Sequence, residues 1–81
     1  MKFKTFINCY DNWKGLICLN DNNLKMIYLG FISSFLKRNG AYKIYKKYEN
    51  YDIVSFGFYK NTKRQMYELT VRIKSPYETV M

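Results

Sequence analysis

No histidine occurs among the 81 residues of this chain, which removes the commonest general base and the commonest metal ligand together. Cysteine is scarce, with Cys9 and Cys18 alone and no paired spacing of the kind that holds zinc. No glycine-rich stretch ends in Lys followed by Ser or Thr, so a phosphate loop of that type is excluded. The six acidic residues, Asp11, Asp21, Glu49, Asp52, Glu68 and Glu78, are scattered over expected turns, caps and strand faces. They offer no evident acid/base or Mg²⁺ pair. The expectation is a protein that is not an enzyme, with no cofactor and no metal.

Long apolar runs are missing too. The longest, Leu24 to Leu36, contains Lys25, Ser33 and Ser34 and is too short to span a bilayer. Met1-Lys2-Phe3-Lys4 is followed by Asn8, Asp11 and Asn12, which interrupt any signal-peptide core. A cytoplasmic protein without membrane insertion is expected, in which Cys9 and Cys18 are reduced thiols rather than a cross-hairpin disulfide. Proline and alanine occur once each, and no repeat or linker composition stands out, so 1–81 reads as one domain with 77–81 as a loose C-terminal tail.

What is present is positive charge and aromatic rings. Fourteen Lys and Arg against six acids give a formal charge of +8, and aromatic residues make up 20% of the chain. Abundant Phe, Tyr, Met, Ile, Asn and Lys suggest an AT-rich gene of the kind phages and mobile elements carry. The same bias gives ready access to glutamate codons, so the shortage of acids asks for a physical reason. A sustained positive field concentrates polyanions.

The clearest element is a hairpin over Tyr51 to Ser75. Tyr67, Leu69, Val71 and Ile73 alternate with Glu68, Thr70, Arg72 and Lys74, the period of a half-buried strand. With Asn61 to Arg64 as the loop, Phe58 is expected opposite Tyr67, Phe56 opposite Leu69 and Val54 opposite Val71. Tyr51, Ile53, Ser55, Gly57, Tyr59, Met66, Glu68, Thr70, Arg72 and Lys74 then take the other face.

Before it, Lys2 to Tyr10 alternates imperfectly and reads as a first strand. Asp11 to Gly15 supplies a turn, and Leu16 to Leu19 a second strand. Trp13 is either a lid on the core edge or an exposed stacking residue, the lid being favoured. Asp21 to Asn23 and Asn39-Gly40 bracket an expected helix from about Leu24 to Arg38, with Leu24, Ile27, Tyr28, Phe31 and Phe35 as its core stripe. Leu29, Ile32 and Leu36 form a second apolar flank on that helix, a candidate homodimer surface. Ala41 to Tyr48 reads as a third strand. A two-residue turn puts Tyr42, Ile44, Lys46 and Tyr48 on the outer face, and a bulge puts Lys43, Tyr45 and Lys47 there instead.

The fold class that follows is α+β, one helix packed on a mostly antiparallel sheet of four to five strands in the order β-β-α-β-β-β. Its uncovered face is expected to mix Lys43, Lys46, Lys47, Lys60, Lys63, Arg64, Arg72 and Lys74 with Tyr42, Tyr45, Tyr48, Tyr51 and Tyr59. Cations neutralise phosphates, and phenol rings stack on unpaired bases. The bland reading of the same face is a solvated surface whose lysines block edge-to-edge pairing. Ser55-Phe56-Gly57-Phe58-Tyr59 resembles the aromatic signature of RNA-recognition-motif domains. Val54 stands where that family has a basic residue, Asn61 where it has its terminal aromatic, and the chain has no room for its second helix, so no family is assigned.

The expected function is a small basic nucleic-acid-binding protein, for RNA or single-stranded DNA, acting as an accessory factor or modulator. The alternative is a viral or mobile-element inhibitor or adaptor in the host cytoplasm, docking on an acidic or nucleic-acid-binding surface of an enzyme, with or without RNA. A membrane-surface role lacks the extensive basic helix face it needs.

Overall fold

Phe3, Phe6, Ile7 and Tyr10 recur at the three-and-four spacing of a helix face, and that spacing prevails over the alternation that suggested a strand for 2–10. The computed structural model describes residues 1–37 and 40–77, with Leu36 described in its backbone alone. In it Phe3–Cys9 is a helix, α1, with Phe3, Phe6 and Ile7 fully buried. No side chain caps α1. Two of its first amides are instead satisfied by the chain that leads into the hairpin: the Phe3 N–H donates to the Tyr51 carbonyl at 2.7 Å and the Lys4 N–H to the Glu49 carbonyl at 3.0 Å.

Strand β1 is Leu16–Asn20, as expected for 16–19. The segment expected as a helix is strand β2, Met26–Phe31, running into a 3₁₀ turn at Ile32–Leu36; Arg38 lies outside the described residues. Gly30, which costs a helix interior about 1 kcal/mol relative to Ala, sits in this strand. A Cβ built on it would meet the Tyr28 hydroxyl and ring. The Tyr28 side chain folds along its own strand and donates its O–H to the Phe31 carbonyl at 3.1 Å. The expected apolar flank dissolves as a result. Ile32 is in the core, and Leu29 is half-buried in a strand beside Cys18. The side chain of Leu36 is outside the description, and the helical face proposed for a homodimer does not exist.

The 41–48 segment, expected as a strand in either of two registers, is helix α2, Tyr42–Tyr48. Its buried positions, Ala41 and Tyr45, are four apart and point at α1 and the 3₁₀ turn. Strands β3 (Asp52–Asn61) and β4 (Met66–Lys74) form the expected hairpin. The observed pairs are Phe58 with Leu69 and Phe56 with Val71, two residues along from the expected pairing. A slide of two keeps the side chains from Ser55 onward on their faces, whereas Ile53, expected on the open face, pairs with Ile73 and packs against the core. The loop closes one residue later than expected, through Thr62 to Gln65, and an irregularity between Ile53 and Ser55 re-sets the pairing near the start of β3.

The four strands lie in the order β2-β1-β4-β3, with β1 and β4 parallel at the centre and both outer pairs antiparallel. The element order is therefore α1-β1-β2-α2-β3-β4, an α+β fold with a mixed sheet. Both helices and the 3₁₀ turn share one face of the sheet, where Ile17, Leu19, Leu69, Val71 and Ile73 meet Phe3, Phe6, Ile7, Ile32, Phe35, Ala41 and Tyr45. Phe35 is the hub, with ring centroids 4.8 Å from Tyr28, 5.8 Å from Phe3 and 6.1 Å from Tyr45. Trp13 is the lid: its ring lies 5.3 Å from Phe58, and its indole N–H donates to the Leu16 carbonyl at 2.9 Å.

Candidate nucleic-acid interface

The helix-free face is a grid fixed by the strand pairings. One row across β2, β1, β4 and β3 is Phe31, Leu16, Glu68 and Tyr59; the next is Leu29, Cys18, Thr70 and Gly57; the third is Met26, Asn20, Arg72 and Ser55. Lys74 and Asp52 pair beyond that. Leu16 is 3% exposed yet is not part of the main core cluster, so this face carries a small apolar patch of its own toward β2.

Toward β3 the same face is hollow. Gly57 has no side chain, Ser55 and Thr70 have short ones, and between them opens a recess of about 260 Å³. Asn20, Ser55, Thr70 and Arg72 supply its polar wall, and Leu24 and Tyr59 its rim. The Tyr59 ring leans back over Gly57, so that a Cβ there would lie 3.1 Å from the ring and from the hydroxyl. A ring lying over a glycine on an edge strand shields backbone that no side chain of its own protects. The ring remains 60% exposed.

Arg72 is the unusual group of this face. Its Nε is buried and has no acceptor among the described residues. Among the described residues neither hydrogen bond nor ion pair holds its guanidinium, and the described carboxylates on its sheet face are engaged or distant. Asp52 is bonded to Lys2 at 2.9 Å. Glu68 lies two rows away, beside Tyr59. A buried donor left unpaired costs on the order of 1–3 kcal/mol. Glu68 also acts on Cys18: burial first, and then the Glu68 charge, push the thiol above its ordinary value. Both cysteines are free thiols, as expected.

Of the thirteen residues expected on one surface, the structure assembles a part. Arg72, Lys74 and Tyr59 are on the open face. Lys60 faces the opposite side, paired with Tyr67, at the far end of the hairpin. Lys63 and Arg64 are exposed in its loop, which is shaped by an Arg64 N–H to Asn61 Oδ1 bond of 3.1 Å and by Gln65 in the left-handed region at φ 51°. Phe56, Phe58 and Tyr67 add half-exposed rings along the same hairpin.

The remainder is elsewhere. Because 42–48 is helical and covers the other side of the sheet, Lys43, Lys46 and Lys47 face outward from the helical layer, and Tyr45 is in the core at 8% exposed. Tyr42 is half-buried on that helix. Lys46 is bonded to Glu49 at 3.1 Å, which holds its ammonium above the ordinary lysine range. Lys47 lies over the Tyr48 ring at 5.3 Å, and Tyr48 packs edge-on against Tyr51. The joint display of lysine and tyrosine on the uncovered face is thus corrected to a hairpin set and a separate α2 set. Sequence reasoning missed Asn20 and Leu24, which reach the recess through a long-range parallel pairing and a turn that local patterns do not show.

Comparison with protein-family models, curated proteins and solved structures finds no match to this chain.

Proposed function

We propose that the protein is a non-enzymatic nucleic-acid-binding protein that takes RNA or single-stranded DNA along the β3–β4 hairpin and the adjoining open sheet face. The observation that carries this reading is the pairing of Tyr59, 60% exposed, with an unpartnered arginine and a cationic loop on one continuous ribbon. Ten residues of β3 at about 3.3 Å each run roughly 33 Å, close to the 36 Å long axis of the molecule. Cations from Lys63 and Arg64 at one end to Lys74 at the other therefore follow a strand-like track. Exposed rings on such a track favour unpaired bases, which stack on aromatics without regard to sequence. Both helices have their apolar faces in the core, which argues against a major-groove reader.

The test is fluorescence anisotropy with labelled RNA, single-stranded DNA and duplex DNA at several salt concentrations. If Lys63, Arg64, Arg72 and Lys74 each neutralise one phosphate, log K falls against log salt with a slope of about −2.8 for single strands. Lys63→Glu/Arg64→Glu removes two contacts and flattens the slope to about −1.4. A protein that ignores all three probes at low salt sinks the reading.

One observation favours a second reading, that of a protein-directed inhibitor or adaptor. The outer edge of β3 is covered at its start by Met1 and Lys2, through the Ile53 N–H to Met1 carbonyl bond at 2.8 Å, while no described strand pairs with it beyond. Such an edge accepts an added strand from a partner. Capture of a host enzyme that survives nuclease treatment supports this reading over the first.

A further inference from the structure

Resting on the nucleic-acid reading above, we propose that the recess around Arg72 is a phosphate subsite, which seats one phosphate of a bound strand while the neighbouring base lies on Tyr59. The wall of the recess contains one permanent cation, Arg72, and three neutral side chains with hydrogen-bond donors, Ser55, Thr70 and Asn20, whose amide also donates to the Cys18 Sγ at 3.6 Å. Among the described residues no carboxylate lines it. Asn20 and Ser55 are the register neighbours of Arg72 on either side, so the donors converge from three adjacent strands. An arginine surrounded by neutral donors is matched to a compact anion with several acceptor oxygens, and its planar fork suits phosphate in particular.

Size narrows the ligand. A volume of about 260 Å³ falls just below the roughly 300 Å³ at which pockets for drug-sized molecules begin. It suits a phosphate with its sugar and leaves a longer strand to run on across the face. The rim then matters. Tyr59 lies over Gly57 and stays 60% exposed, so its ring offers a stacking platform next to the phosphate position. On the opposite rim Leu24, 67% exposed at φ 65°, provides apolar contact for a sugar.

The experiment follows the Arg72 Nε–H signal by NMR in the full-length protein. Three probes are titrated: inorganic phosphate, uridine monophosphate and a ten-residue oligouridine, with acetate as the carboxylate control. The expected result is that oligouridine moves the Arg72 signal together with the Ser55 and Thr70 amides. Arg72→Lys, which keeps the charge and loses the fork, is expected to weaken oligouridine about tenfold with an unchanged salt slope. Ser55→Asp sets a carboxylate beside Arg72 and is expected to close the site in a protein whose fold is checked by the rest of its spectrum.

Oligouridine binding that leaves the Arg72 signal in place and is indifferent to Arg72→Lys and Ser55→Asp overturns the subsite while the nucleic-acid reading stands. A shift with phosphate or the mononucleotide but none with oligouridine overturns the strand-bound form and assigns the recess to a free phosphate compound. A response to acetate equal to that of phosphate overturns the phosphate assignment. No binding of oligouridine by the unaltered protein in any assay removes the underlying reading itself.

Discussion

Leu24 combines two properties that folding alone does not select: its backbone is left-handed and its side chain is mostly exposed. The turn around it needs only its backbone, whose N–H donates to the Asp21 carbonyl at 3.1 Å. The Asp21 carboxylate accepts the Asn23 and Lys25 amides at 2.8 and 2.9 Å. A left-handed leucine costs about 1–2 kcal/mol, whereas glycine there is free of the clash and loses about 0.5–1 kcal/mol of chain entropy. Leu24→Gly is therefore expected to raise the melting temperature by a few degrees, measured by circular dichroism. Phe35→Ala is the opposite case. It removes a fully buried ring in contact with Phe3, Tyr28 and Tyr45, at a cost of about 3–5 kcal/mol. In a domain of this size that is a fall of about 12 °C or more. A Leu24→Gly protein less stable than the parent implies that the leucine packs more than its exposure indicates, and removes the reason for assigning it a surface role.

At the scale of elements, what the chain disclosed in advance was the hairpin of its two consecutive strands β3 and β4, and what it hid was the identity of three short segments. In β4 the alternation of Leu69, Val71 and Ile73 with Thr70, Arg72 and Lys74 admits one pattern, and one face must be buried. Residues 3–10 admit two: Phe3, Thr5 and Ile7 alternate, while Phe3, Phe6, Ile7 and Tyr10 make a helical stripe, and packing on the sheet decides for the stripe. In 24–36 the apolar positions fit helix spacing, but Gly30 and the aromatic content of Met26–Phe31 favour a strand. The same uncertainty divided the candidate site. From Ser55 to Tyr59 and along β4 the faces were assigned as observed, but Ile53 turns to the core beyond the irregularity and Lys60 faces away from the open side, while the lysines of α2 were placed on a strand that does not exist.

One contact between elements gives a prediction of its own. The Lys2–Asp52 ion pair fastens the residue before α1 to the start of β3, and the Lys2 hydrogen bond, followed by its charge, holds the Asp52 carboxyl below its ordinary value. A carboxyl lowered in the folded state contributes stability above the ordinary carboxylate range, and the contribution fades as pH falls through the lowered folded value. Lys2→Met is expected to melt below the parent at neutral pH, and the two curves are expected to meet in strong acid, in thermal unfolding across that range. A gap that is constant with pH assigns the difference to the lysine stem and not to the ion pair.

For the whole molecule the decisive quantity is the formal charge of +8, and the two ion pairs among the described residues, Lys2–Asp52 and Lys46–Glu49, engage only two of the fourteen cations. Unpaired like charges on a body 36 × 28 × 20 Å repel one another across distances comparable to the Debye length, about 10 Å at 0.1 M salt. Salt therefore acts on this protein with two opposite signs. It relieves self-repulsion in the folded chain, so the free protein is expected to melt higher as sodium chloride rises. It also weakens phosphate contacts, so the extra stability conferred by a bound strand, which grows as the logarithm of ligand concentration over Kd, is expected to shrink over the same range. Thermal melts of the protein with and without excess oligouridine, taken from low to high salt, should start far apart and converge, the free curve rising to meet the bound one. A free melting temperature indifferent to salt implies that the cations are too dispersed to repel. With no added stability from oligouridine at low salt, that result leaves the charge excess without the polyanion role assigned to it.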